Sequence, residues 1–166
     1  KADKNINNTP HNYKAFEEEK EIRAFVQTLM GKLEICFDTE TTGLDANDAE
    51  LVGLSFSWKP GEAYYIPCPA DQSKTKEILS FFSPVFENKN ITWIGQNIKY
   101  DMLLLKWYGY ELKGNIFDTM LAHYVIDPEG KRSMDLLSSQ FLGYEPVSIT
   151  ELIGKKGKGQ GNMRDV

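Results

Sequence analysis

The chain has 166 residues, 41% of them hydrophobic and 26% charged, which suits one compact domain and leaves little room for a second. Nineteen Lys and Arg against 24 Asp and Glu give a net charge of −5, which argues against holding duplex nucleic acid by charge alone, although divalent metals can supply positive charge locally. The apolar runs fall short of a membrane span, the amino-terminal segment lacks a secretory core, and the only cysteines are Cys36 and Cys68; a cytoplasmic protein with no membrane partner, disulfide framework or structural zinc site is expected.

Residues 1–16 are polar and rich in Lys and Asn, and read as a flexible lead-in to a domain over 17–153. Within EEEKEIRAFVQTLM, Ile22, Phe25, Val26 and Leu29 fall at helical spacing. The next segment, LEICF (33–37), is short and apolar and predicts a buried strand with Asp38 at its carboxyl end. Two further strands are expected at LVGLSFSW (51–58) and AYYI (63–66), joined by the KPGE turn, so that the three form a meander. A helix over 73–87 carries Ile78, Phe81, Phe82 and Val85 as its stripe, with Pro84 shortening or kinking it.

The second half alternates differently. A strand at ITWI (91–94), a helix over 97–108, an extended piece at 115–117 and helices near 119–126 and 134–142 follow in order. Strands first, then strand–helix units, predict an α/β class: a mixed sheet, antiparallel meander plus parallel strands, with helices over both faces. Residues 154–166 hold four glycines and four basic residues and read as a mobile Gly/Lys-rich loop reaching no other element.

Asp38, Thr39 and Glu40 sit where a strand runs out, and side chains two apart on a strand share a side. Paired carboxylates of this kind can bracket divalent ions for displacement at phosphorus; equally, an isolated D-x-E can be the ordinary start of a loop. In IGQNIKYDMLLL, Asn97 and Asp101 are four apart on one helix face. Asn97 also suits a helix N-cap. Asp101, followed by Met-Leu-Leu-Leu, lies on a covered helix and needs a partner there, either a metal shared with Asp38 and Glu40 or a lysine. Asp118 is placed as the N-cap of the 119–126 helix, with His123 inside that helix and Asp127 at its end.

Taken together, FDTETTGLD, GQNIKYD and FDTMLAHYVIDPEGKRSMDLLSSQFLG resemble the 3′-5′ proofreading exonuclease domains of bacterial DNA polymerase I, members of the DEDD exonuclease superfamily with a ribonuclease H-like fold. The resemblance covers roughly residues 18–162. It implies two divalent ions, Mg2+ or Mn2+, with Asp38, Glu40 and Asp101 as catalytic metal ligands. It further implies a single-stranded or frayed DNA 3′ end as substrate, contacted by Thr39, Leu44 as an apolar wedge, Asn97, Tyr100, Lys131 and Arg132, and the remainder of a polymerase I chain as partner. By charge alone, Lys131, Arg132, Lys155, Lys156, Lys158 and Arg164 are also consistent with solvated loops.

The sequence departs from the family in one respect. Members carry a fourth acid in a third motif, Tyr-x3-Asp or His-x4-Asp, and neither occurs here: Tyr144 has Ser148 in the acid's place, and His123 and Asp127 are one residue too close. Ile149 stands about where relatives place an aromatic residue. The expectation is a domain lacking its C-terminal helix with the third motif, impaired in metal binding and cleavage, with an exposed apolar strip that promotes self-association. A noncatalytic scaffold supporting the polymerase and a stand-alone DEDD ribonuclease are the alternatives.

Overall fold

The computed structural model describes residues 2–155, 157 and 159–166. Its elements are β1 (Lys4–Asn5), β2 (Asn12–Ala15), α1 (Glu19–Met30), β3 (Glu34–Thr41), β4 (Leu51–Ser57), β5 (Glu62–Pro67), α2 (Gln72–Phe81), α3 (Ser83–Phe86), β6 (Thr92–Gly95), α4 (Ile98–Trp107), β7 (Asn115–Asp118), α5 (Thr119–Ile126), α6 (Met134–Leu137), β8 (Tyr144–Glu145) and α7 (Ile149–Ile153). Six strands form one mixed sheet in the order β2-β5-β4-β3-β6-β7. The expected meander is present: β3 pairs antiparallel with β4, and β4 antiparallel with β5, while β6 and β7 continue the sheet in parallel.

β3 lies inside this sheet and sorts its side chains by period two. Ile35, Phe37 and Thr39 turn to the buried face, while Cys36 and Asp38 are exposed on the other. In register with it, Phe56 and Leu54 oppose Phe37 and Thr39, whereas Ser55 opposes Asp38. The buried face meets the apolar stripes of α1 (Ile22, Phe25, Val26, Leu29) and of the α2–α3 segment (Leu79, Phe82, Val85, Phe86), together with Ile98, Leu104 and Leu105 of α4. Aromatic contacts fill this layer: Phe82 stacks on Phe56 at 5.2 Å between centroids, and Trp93 meets Phe37 edge-on at 5.6 Å.

Several expectations are corrected. Residues 12–15 are a strand, paired in parallel with Glu62–Tyr65 at the sheet edge, so the lead-in is tied down by backbone pairing that its polar side chains do not reveal. Pro84 starts α3 and divides the expected 73–87 helix in two, which moves the buried stripe to Leu79, Phe82, Val85 and Phe86, with Ile78 and Phe81 only half-buried. The 134–142 helix is α6 followed by a wider, π-type turn over Ser138–Leu142. The carboxyl-terminal loop reaches another element after all. Arg164, on a short 3-10 turn closed by Asn162 and Asp165, donates to the carbonyls of Leu51 (3.1 Å) and Cys68 (3.2 Å) and pairs with Glu50 at 3.2 Å. Lys156 and Lys158 lie outside the described residues.

The late elements carry many exposed apolar side chains. No residue of α5 is buried, although its sequence is apolar almost throughout; Val125 and Ile126 are about 80% exposed. Ile116 and Phe117 of β7, and Phe141 and Leu142 of the π-type turn, are exposed as well.

Gly114 sets how closely β7 approaches the sheet. A β-carbon there would stand 1.8 Å from the carbonyl oxygen of Ile91, which accepts the neighbouring Asn115 N–H at 3.0 Å. Gly114→Ala is expected to destabilise the domain by about 2–4 kcal/mol in chemical unfolding. Gly31→Ala, where the nearest atom stands at 3.6 Å, should change it by less than about 0.5 kcal/mol; equal effects would rule out the close-approach account.

Candidate active site

β3 runs on to Thr41, so Asp38 and Glu40 are strand residues and not the start of a loop. Their alternation puts both carboxylates on the side of the sheet opposite the aromatic core. Asp101 comes from the first turn of α4, and although only 2% exposed it makes no ion pair among the described residues. Of the two partners expected, a shared metal or a lysine, no lysine pairs with it among the described residues; Thr39 does. The Thr39 N–H donates to Asp101 Oδ1 at 2.9 Å, and the Thr39 hydroxyl donates to the same oxygen at 2.6 Å. Thr39, read from the family as a substrate contact, is therefore nearly buried and engaged in holding Asp101.

The three acids perturb one another. Burial of the carboxyl, with Glu40 beside it, pushes Asp38 up to about 6; although the residue as a whole is exposed, it lines a concavity with Ser55, Ile94 and Met134. Burial and the charge of Asp101 raise Glu40. Burial takes Asp101 up to about 7, against the lowering effect of the Thr39 hydroxyl and with a further push from Asp38. Three carboxylates that raise one another's pKa, with no ion pair to a side-chain cation among the described residues, form a site with unspent negative charge.

Among the described residues, no three His, Cys, Asp or Glu side chains are drawn together tightly enough to hold a metal ion. The chemistry of the donor set nonetheless fits hard divalent cations: all three groups are carboxylates, and neutralising them removes their mutual repulsion.

Other family-derived positions are scattered around this centre. Leu44 is 96% exposed on the loop that leaves β3. Asn97 occupies the cap position of α4 in a left-handed conformation (φ 57°), with no capping bond from its side chain; its N–H donates to Asp118 Oδ1 at 3.1 Å, and its side chain is exposed. The expected side-chain N-cap role of Asn97 is thus replaced by a backbone tie, while Asp118 does cap α5 through Met120 and Leu121. The Tyr100 hydroxyl donates to the Gly43 carbonyl at 2.6 Å. Lys131 is exposed, but Arg132 folds back over the Tyr124 ring at 4.7 Å and donates to the Pro128 carbonyl. Lys155 is exposed, whereas Arg164 is clamped to β4 and Glu50 and is no free cation.

One neighbour escaped the sequence reading. The Tyr65 ring lies across Gly53, whose β-carbon would fall 2.0 Å from the phenol oxygen, and Gly53 is the cross-strand partner of Glu40. A glycine inside the LVGLSFSW strand was the available signal, since it marks close approach of another group. Burial, with help from Glu40, pushes the Tyr65 phenol up to about 12.

A sequence profile described as 3′-5′ exonuclease matches residues 13–162. DNA polymerase I of Borreliella burgdorferi is 35% identical over 146 residues, covering 86% of this chain and 16% of the relative; that of Pseudomonas aeruginosa is 36% identical over 133 residues, covering 75% and 15%. The chain thus spans about one sixth of these relatives' length. Among solved structures, the catalytic core of RRP6 from Trypanosoma brucei aligns with a TM-score of 0.66 at 19% identity over 89% of this chain and 38% of that one. Brucella melitensis NrnC with bound Mg2+ aligns at 0.64 and 16% identity, over 90% and 69%. These likenesses bear out the mixed α/β, ribonuclease H-like fold.

Because burial and repulsion raise Asp101 well above an ordinary carboxylate, the metal-free fold holds its proton where the unfolded chain has lost it. Stability conferred below about pH 4 is therefore lost as pH rises towards about 7. Asp101→Asn keeps an acceptor for Thr39 and removes the charge; in chelator it is expected to be more stable than the parent at pH 7.5 by on the order of 1–3 kcal/mol and no more stable at pH 4. Equal differences at both pH values in thermal unfolding would contradict this.

Proposed function

The chain belongs to the 3′-5′ exonuclease family of bacterial DNA polymerase I, and from that membership we propose that it hydrolyses the last phosphodiester at a single-stranded or frayed DNA 3′ end. The observation that supports this reading is that Asp38, Glu40 and Asp101 lie near enough to raise one another's proton affinity, and make no ion pair among the described residues, with Asp38 and Glu40 on the strand that leads into the loop exposing Leu44. Two divalent ions, Mg2+ or Mn2+, would supply an activated water and stabilise the departing 3′ oxygen.

In this reading Asp38 and Glu40 offer oxygen donors from one side of β3, and Asp101 offers its own from a position fixed by Thr39. Leu44 packs on the terminal base without reading its identity, as removal of any nucleotide requires. Asn97 and Tyr100, at the start of α4, and Lys131 add contacts to the DNA strand in this reading. Arg132 contributes less than the family pattern implies, because its guanidinium is already engaged on Tyr124.

A second reading, a noncatalytic scaffold for the polymerase portion, is favoured by two observations: no three acids are gathered at metal-binding distance among the described residues, and the sequence holds neither Tyr-x3-Asp nor His-x4-Asp. In either reading the remainder of a polymerase chain is the partner and the location is cytoplasmic. No described helix is long and apolar enough to cross a membrane.

Two outcomes are expected of the chain as it stands. Mn2+ raises its unfolding midpoint, Asp38→Asn removes that rise, and a 5′-labelled single strand is shortened from its 3′ end slowly and only where Asp38 is intact; absence of both metal effects would favour the scaffold. Separately, light scattering at rising concentration should show self-association through the apolar surface of α5 and β7, reduced in a Val125→Lys, Ile126→Lys variant. A monomer at every concentration would remove that proposal.

A further inference from the structure

Glu40 faces a strand position that carries no side chain. Its cross-strand partner on β4 is Gly53, and the side chains of directly opposed residues stand on one face of a sheet about 5 Å apart. The vacant place is filled from the next strand. Ser55 pairs with both Asp38 and Tyr65, so Tyr65 stands on the face that carries Asp38 and Glu40. Its ring leans along β4 until the phenol oxygen and the carbon that bears it lie 2.0 and 2.1 Å from where a Gly53 β-carbon would be. The neighbour of the Glu40 side chain across β4 is therefore an aromatic ring from β5.

β4 is irregular at the same point. Glu40 pairs with Gly53 but Thr41 pairs with Leu51, so Val52 is an extra residue, a bulge of the kind that re-aims a side chain beside a site. The Val52 carbonyl accepts the Cys68 N–H at 2.8 Å and the Tyr65 hydroxyl at 3.3 Å. Arg164 donates to the flanking carbonyls, that of Leu51 at 3.1 Å and that of Cys68 at 3.2 Å. The bulge thus keeps its shorter hydrogen bonds without the phenol. What Tyr65 alone provides is the ring that fills the Gly53 position.

We propose that Tyr65 is a positioning residue: its ring braces the Glu40 side chain from across β4 and keeps that carboxylate turned toward Asp38 and Asp101. The proposal takes its ligand, a divalent cation, from the nuclease reading, but the brace itself requires no ligand. Asp38 and Asp101 both lie within electrostatic reach of Glu40, so a fixed Glu40 offers its oxygens where the other two acids can share an ion. An unbraced Glu40 has three staggered wells at each aliphatic torsion and has to be ordered by the cation as it binds, and that ordering subtracts from affinity. Glycine is needed at position 53 because a side chain there would displace the ring.

The test uses the whole chain. Tyr65→Leu and Tyr65→Val remove the ring and Tyr65→Phe keeps it. Tyr64→Leu removes the neighbouring ring, which lies on the opposite face of β5 and stacks on Trp58 at 4.7 Å. Titration with Mn2+ alone, below the unfolding midpoint of each variant, should show affinity about tenfold weaker in whichever of Tyr65→Leu and Tyr65→Val folds, and within about twofold of the parent in Tyr65→Phe and Tyr64→Leu. Unchanged affinity in the ring-less variants overturns the proposal. So does equal weakening in Tyr64→Leu, which marks a general loosening of the sheet, or in Tyr65→Phe, which assigns the effect to the hydroxyl. Three-bond couplings of the Glu40 side chain, measured by NMR in chelator, separate the brace from the nuclease reading. One dominant rotamer in the parent and Tyr65→Phe, averaged in the ring-less variants, supports the brace even if no variant binds Mn2+; the same rotamer throughout, or averaging in the parent, refutes it.

Discussion

The pairing of Asp101 with Thr39 is the contact on which the site's geometry turns. It places a buried carboxylate from a helix against an interior strand of the sheet, using two donors on a single oxygen. A buried charge costs several kcal/mol when unpaired, and two neutral hydrogen bonds offset part of that while leaving the charge itself uncompensated. The residual cost appears as the raised proton affinity of Asp101 and its two neighbours. Asp101 is only 2% exposed, and buried carboxylates with strongly raised proton affinity concentrate at functional sites.

The two faces of β3 divide the labour. Ile35 and Phe37 join the aromatic layer beneath α1, α2 and α3, which gives the strand a rigid footing, while Asp38 and Glu40 stand on the opposite side among small residues, Ser55 and Gly53. Small cross-strand partners leave room above the carboxylates, and Gly53 admits the Tyr65 ring beside Glu40. The surface of α5 and β7 is the complementary case: apolar side chains on elements that bury little of them, a face suited to contact with other protein.

Much of this was legible in one dimension because the signals are local. Period-two alternation placed Asp38 and Glu40 on one side, the four-residue spacing placed Asn97 a turn before Asp101, and Pro84 marked a helix break. Asp118 was readable as a cap from its position before an apolar run. What could not be read were contacts whose partners lie far along the chain. Arg164 reaches back 96 residues to Cys68, and residues 12–15 become a strand only because β5 offers an edge. Likewise Thr39 and Arg132, candidates for substrate contact by pattern, are engaged inside the protein by neighbours that spacing alone does not disclose.

By itself, then, the sequence determined the α/β order of elements, the family, and which acids are candidates for chemistry, since each depends on periodicity or on short motifs. The tertiary structure alone decided which polar groups are spent on one another. Asp101 is held by Thr39 across 62 residues, and the Tyr100 hydroxyl donates to the Gly43 carbonyl across 57. The physical reason is that hydrogen bonds act over about 3 Å in space whatever the distance along the chain, so only the folded arrangement shows which donors and acceptors remain for a ligand.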